Sequence, residues 1–172
     1  MRLHRIFAFI AAAAMIGVSS VSAQDEGHMS MPMMSQAEDS RQLVDFPPHL
    51  RQHMLSNMRS HLEALEEILT ALSAGDSSKA AKIADTRLGL DSPGAAACNP
   101  ESSGNMSAMA AMMAEHMPIE MRGLGLAMHQ SASDFAKEAA KVQPGDDMKP
   151  TLAALSQVTQ RCAACHSAYR LR

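Results

Sequence analysis

Two cysteines and a histidine near the C-terminus carry the clearest chemical pattern in this sequence, Cys162-Ala163-Ala164-Cys165-His166. Cysteines three residues apart lie on one face of a helix, so their sulfurs can add to the two vinyl groups along one porphyrin edge. The imidazole of the next residue, His166, can then bind the iron. The pattern therefore predicts one covalent c-type haem, attached through Cys162 and Cys165, with His166 as an axial iron ligand.

Other uses of the cysteines were weighed against haem attachment, because the chain has three cysteines in all. A disulfide with one spare thiol is typical of exported proteins. A thiol redox pair is favoured at a helix N-terminus, which stabilises thiolate, whereas this pair falls near the end of the last predicted helix. A zinc site would need further ligands from Cys98 or a distant histidine. Cys98 has no assigned role and could be a free thiol or an intermolecular bridge.

Four long helical patterns are predicted to position this motif. They run from His49 to about Ser73, from Ser77 to about Leu88, from about Pro118 to Val142, and from Pro150 towards the C-terminus. A Met/Ala segment at 106–117 can add a short helix, and the Gly- and Pro-containing stretch 89–105 is predicted to be a loop. The predicted fold class is all-α, an up-and-down antiparallel four-helix bundle with haem attached to the C-terminal helix.

Apolar residues in steps of three and four predict which helix faces are buried. The first helix has such a stripe, made of Leu55, Met58, Leu62, Leu65, Leu69 and Leu72. In the last helix the stripe includes both motif cysteines and comprises Leu155, Val158, Cys162, Cys165 and Tyr169. With no Trp, one Tyr and four Phe in the chain, these faces would enclose a loose core that a porphyrin could fill.

The N-terminal residues predict export. Basic Arg2 and Arg5 precede a short apolar run and a small-residue site at Val21-Ser22-Ala23, which is typical of a signal peptide spanning residues 1–23. Residues 24–46 are predicted to be a flexible Met-rich leader, and 47–172 the bundle. The expected location is the periplasm, with no membrane insertion after signal removal. Without residues 1–23 the chain has 13 basic and 18 acidic side chains, so a nucleic-acid partner is not expected.

The motif and its neighbours resemble those of the class II c-type cytochromes, the cytochrome c′ family. The likeness extends through Ser167-Ala168-Tyr169-Arg170, and Arg51-Gln52 is similar to the pair that opens that family's first helix. The resemblance implies that Arg51 and Gln52 lie beside the haem propionates and that Arg170 lies on the proximal side of His166. It also implies that a homodimer can form.

The resemblance leaves two possibilities opposite His166. Leu55 aligns with the distal position, where an apolar side chain leaves the iron open to NO or CO. Met58 or Met54 could instead be the second axial ligand, since a thioether favours electron transfer. His53 and His61 fall off the predicted inner face and are expected at the surface.

These observations predict a periplasmic monohaem cytochrome for electron transfer with redox partner proteins, for diatomic gas binding, or for both. No triad, phosphate loop or paired-carboxylate site is present, so no enzymatic turnover is expected. The alternative is a copper-binding protein, because thioethers and imidazoles bind Cu(I) and cluster in two segments, His28, Met29, Met31, Met33 and Met34, then Met106, Met109, Met112, Met113, His116 and Met117. A purely structural bundle with an unmodified motif is the third possibility.

Overall fold

Helices form where the apolar spacing predicts them. The computed structural model describes residues 38–99 and 107–172. Within these residues there are five helices: α1 Pro48–Ser73, α2 Ser77–Arg87, α3 Ala108–His116, α4 Ile119–Ala139 and α5 Lys149–Ala168. The predicted all-α class is confirmed. The predicted signal peptide and residues 24–37 of the predicted leader lie outside the described residues.

Local sequence explains where the helices begin and end. Pro48 occupies the first turn of α1, where a missing N–H costs nothing. Gly75 ends that helix with a φ of +76°, a conformation that other residues rarely adopt. The Asp76 side chain then caps α2 by accepting a hydrogen bond of 2.9 Å from the Lys79 N–H. The sequence pattern placed this cap one or two residues later, at Ser77 or Ser78.

The helices pack in chain order, α1 against α2, α2 against α4, and α4 against α5. Their shared faces build one apolar cluster, in which Phe135 of α4 and Ile68 of α1 are fully buried. Many of its other members are alanines of α1, α2 and α4. Small side chains let helix backbones approach closely. No helix in the described ranges is long and apolar enough to cross a membrane.

The buried face of α1 is turned by about one residue from the predicted face. The buried residues are Leu50, Met54, Ala64, Ile68 and Ala71, whereas Leu55, Leu62 and Leu69 are exposed. These leucines lie at the edge of the buried face of α1, because Ala64, Ile68 and Ala71 make the contact with the first apolar cluster. Leu62 and Leu69 line a groove between α1 and α5 together with Leu155. The prediction that all six stripe residues point inward was therefore wrong.

A two-stranded parallel sheet joins the two ends of the described chain. Strand β1 (Gln42–Val44) pairs with β2 (Tyr169–Leu171), with Leu43 opposite Arg170. Val44 and Phe46 are buried and pack with Tyr169 in a second apolar cluster. Val44 and Phe46, which belong to the predicted leader, are therefore packed in this cluster, whereas Asp45 between them and residues 39–42 are exposed.

Two adjacent residues of α1 test the observed orientation of that helix. Ile68 is fully buried and Leu69 is 54% exposed. We expect Ile68→Ala to lower the free energy of unfolding by about 2–5 kcal/mol. The matched change Leu69→Ala should cost less than about 1 kcal/mol. Urea denaturation followed by circular dichroism measures both, and a larger loss for Leu69→Ala would contradict this orientation.

Candidate cofactor site

A cavity of about 570 Å³ is lined by residues of α1, α3, α4 and the C-terminal part of α5. Its size is within the range of about 300–1,000 Å³ typical of small-molecule and cofactor sites. Its wall is unusually rich in methionine, with Met54, Met58, Met109, Met113, Met117, Met121 and Met128. Among the described residues, no phenylalanine lines it.

The end of α5 brings the haem-attachment motif to this cavity. Cys165 and His166 line it, and Cys165 packs against the second apolar cluster. Cys162, one turn earlier, is half-buried and packs against the first cluster, beyond the cavity. His166 is exposed, so the motif lies where the cavity opens to solvent. The two sulfurs therefore lie along one helix face, at the boundary between the two clusters.

Burial raises the pKa of both motif thiols. The Cys162 thiol adds to this effect at Cys165 through the repulsion of like charges. A thiol redox pair needs the opposite, a lowered pKa that favours thiolate. The electrostatics of the motif therefore give no support to the redox-pair alternative.

All three residues predicted to face the iron opposite His166 line the cavity. Met54 is buried, Met58 is partly buried, and Leu55 is 37% exposed. Met58 and Met54 are four residues apart and share one face of α1. The structure thus brings both candidate thioethers and the candidate apolar residue to the same cavity that His166 lines.

Two guanidinium groups belong to the mouth of the cavity. Arg170 lines it and has a buried Nε that lacks a hydrogen-bond partner and lies 3.5 Å from the Asp39 carboxylate. Arg41 also lines it and donates a hydrogen bond of 3.3 Å to the His166 carbonyl oxygen. Arg41 binds Asp39 as well and lowers the pKa of that carboxyl to about 2. Sequence reasoning missed Arg41 because it assigned residue 41 to the leader.

Arg51 and Gln52 do not line the cavity. The Arg51 Nη1 donates a hydrogen bond of 2.6 Å to the carbonyl oxygen of Arg172, at the end of the chain. Arg51 therefore helps to hold the C-terminus beside the first turn of α1. Its predicted contact with a haem propionate, and that of Gln52, stay predictions.

Two histidines that sequence reasoning did not assign to the site form a close pair in it. His61 of α1 and His129 of α4 both line the cavity, and their ring centroids are 5.6 Å apart with the planes nearly perpendicular. His129 is only 1% exposed, and its Nδ1 lies 2.7 Å from the Leu88 carbonyl oxygen. His53 lines the cavity too. The expectation that His53 and His61 are surface residues was wrong, because the face of α1 is turned.

The paired rings are held in the neutral form. Burial, followed by His129 and Arg87, lowers the pKa of His61 to about 4. Burial also lowers the pKa of His129, and its hydrogen bond to Leu88 offsets part of that effect. Both imidazoles are therefore uncharged at neutral pH.

Cys98 belongs to the wall of the cavity rather than to the outer surface. Burial raises the pKa of its thiol to about 11, and the nearby Cys165 acts in the same direction. Its Sγ lies only 2.5 Å from the point that a Cβ on residue 125 would occupy. Gly125 of α4 therefore makes room for this thiol.

The predicted copper-binding segments are only partly described. Met109, Met113 and Met117 line the cavity, whereas Met112 and His116 are exposed. Met106 and the leader cluster from His28 to Met34 lie outside the described residues. Among residues 38–99 and 107–172, no group of three or more His, Cys, Asp or Glu side chains is placed to hold a metal ion.

Comparisons with protein-family models, with curated proteins and with solved structures found no match for this chain.

The buried imidazole of His61 predicts an acid-sensitive fold. Because the pKa of His61 is about 4 in the folded protein and 6.5 is its ordinary value, the unfolded chain binds a proton first as the pH falls. Stability present above pH 6.5 should be lost as the pH falls to about 4, by on the order of 3 kcal/mol. Urea denaturation at pH 7 and pH 4 measures this loss.

His61→Gln should reduce that dependence on pH, whereas Leu62→Gln, at the adjacent exposed position, should retain it. If both variants lose the same free energy of unfolding between pH 7 and pH 4, the His61 imidazole is not the source of the acid sensitivity.

Proposed function

We propose that this protein is an exported monohaem c-type cytochrome that transfers electrons, binds a diatomic gas, or does both. In this proposal Cys162 and Cys165 bind the haem covalently and His166 binds its iron. The observation that supports it most is that Cys165 and His166 line a cofactor-sized cavity whose wall is rich in methionine. We further propose that α1, α2, α4 and α5 form the antiparallel four-helix bundle of the class II cytochromes.

The chemistry of the cavity suits a haem. Its apolar wall would contact the two faces of a porphyrin, and thioether side chains adapt well to a large flat group. In the part of the chain that the structure describes, no Asp or Glu lines the cavity, so no carboxylate of these residues would repel the two haem propionates from its wall. The guanidinium groups of Arg41 and Arg170 line the same cavity and are paired with the Asp39 carboxylate. Their N–H groups that Asp39 does not occupy would be the donors for a propionate.

A bound haem would supply an iron that accepts one electron or one small ligand. The residues of this chain would hold and shield that iron. The two cysteines prevent loss of the group, His166 fixes the proximal side, and Met54, Leu55 and Met58 face the cavity from α1. Solvent reaches the exposed His166 edge, which is the natural side for contact with a redox partner protein.

Attachment of haem is tested by intact-mass analysis of the exported protein, produced together with cytochrome c maturation machinery. We expect the mass of the chain plus one haem, because two thioether bonds survive denaturation. Cys162→Ala/Cys165→Ala should have only the mass of the chain. Cys98→Ala is the matched control and should retain the haem. A colourless wild-type protein with three free thiols would refute the proposal.

The residue opposite His166 is tested by optical spectra of the ferric and ferrous protein with and without CO. If Met58 binds the iron, the spectra should be low-spin, and Met58→Leu should convert them to high-spin and increase the affinity for CO at least tenfold. Met54→Leu is the companion variant, since Met54 is the other thioether on that face. If wild-type protein is high-spin and binds CO readily, the site is open beneath Leu55.

A further inference from the structure

The pair formed by His61 and His129 has no part in the haem proposal. The two rings come from different helices, α1 and α4, and meet in the cavity at a centroid distance of 5.6 Å. No hydrogen bond joins His61 to another residue in the described part of the chain. Two neutral imidazoles in contact inside a protein therefore lack an obvious structural purpose.

His129 is oriented as a metal ligand is oriented. Its Nδ1 lies 2.7 Å from the Leu88 carbonyl oxygen, so this nitrogen carries the proton and donates to that oxygen. Histidines that bind metals commonly donate their second ring N–H to a backbone carbonyl, which fixes both the tautomer and the ring plane. The lone pair of the His129 Nε2 is thereby left available for a ligand.

Gly94 keeps a space open beside the two rings. A Cβ on residue 94 would lie 3.1 Å from the His61 Nε2 and 3.7 Å from the His129 Cε1. The φ of this residue is not in the left-handed region, so backbone conformation does not require glycine here. The missing side chain leaves an edge of each imidazole free to meet a small ligand.

The surroundings of the pair favour Cu(I) over a divalent ion. Among residues 38–99 and 107–172, no carboxylate lines the cavity, so these residues offer no negative charge to compensate a buried divalent ion. Met128, which precedes His129 in the sequence, lines the same cavity and has a thioether side chain. Cu(I) has a single charge and is bound well by imidazole and thioether ligands.

We propose that His61 and His129 bind one Cu(I) ion, with Met128 as the third ligand. This site differs from the two Met/His clusters that the sequence predicts, because neither of its histidines belongs to them. Its ligands come from α1 and α4 whereas the haem motif is on α5, and both groups of residues line the same cavity.

The test is an anaerobic titration of the full exported protein with Cu(I) against a chromophoric Cu(I) chelator. Gly94→Ala keeps both imidazoles and places a methyl group beside them. It should lower the affinity for one equivalent of Cu(I) by about 10–100-fold, as changes next to metal ligands commonly do. Gly123→Ala is the matched control, because a Cβ there has nothing within 4 Å. His61→Gln should abolish binding of the same equivalent of Cu(I). His49→Gln, which changes an exposed histidine of α1, should not affect it.

X-ray absorption at the copper K-edge provides a second measurement on the same samples. It reports only the surroundings of copper, whether or not haem is attached. We expect two imidazole nitrogens and one sulfur around the ion in wild-type protein, with the imidazole scattering lost in His61→Gln. Copper bound only to sulfur, or Cu(I) binding unchanged in both Gly94→Ala and His61→Gln, would overturn the proposal. The optical absorption of haem in each sample shows independently whether haem is attached, so failure of the haem proposal can be distinguished from failure of the copper proposal.

Discussion

The positions of Cys165 and His166 depend on how the two ends of α5 are held. At its N-terminal half, Leu155 and Val158 are buried against α4 and the first apolar cluster. At its C-terminal end, β2 pairs with β1, and Tyr169 is buried with Val44 and Phe46. Between these two anchors the helix keeps one face on the cavity. Loss of either anchor would leave the motif on a helix that is free to turn.

The sequence predicted the helices well because each is long enough for several repeats of apolar spacing. On α5, the stripe through Leu155, Val158 and the two cysteines matches the observed inner face. On α1 the same reasoning chose the wrong edge of the face. Leucines dominate that pattern, whereas the close contact with α2 is made by Ala64, Ile68 and Ala71. A hydrophobic pattern alone does not show which face of a helix is buried. Small residues such as alanine allow two helix backbones to approach closely, so they can form the contact instead of leucines.

The features that escaped sequence reasoning are those created by contacts between distant segments. A strand of three residues such as β1 has almost no repeat to read, and its stability depends on a partner at the other end of the chain. His129 is buried because the segment near Leu88 and Ser92 folds over it and accepts its hydrogen bond. The alternation of Val44 and Phe46 was the one available signal for β1. No comparable signal marked the two histidines.

The parallel pairing of β1 with β2 has a consequence for the order of assembly. Arg41 and His166, whose contact accompanies that pairing, are 125 positions apart. Closing so long a loop has an entropic cost and is slow compared with the formation of local helices, so we expect β1 and β2 to pair after the helices have formed. The cavity entrance beside His166 is then held together last, so a bulky molecule could reach the cavity while the helices pack and before the two strands pair.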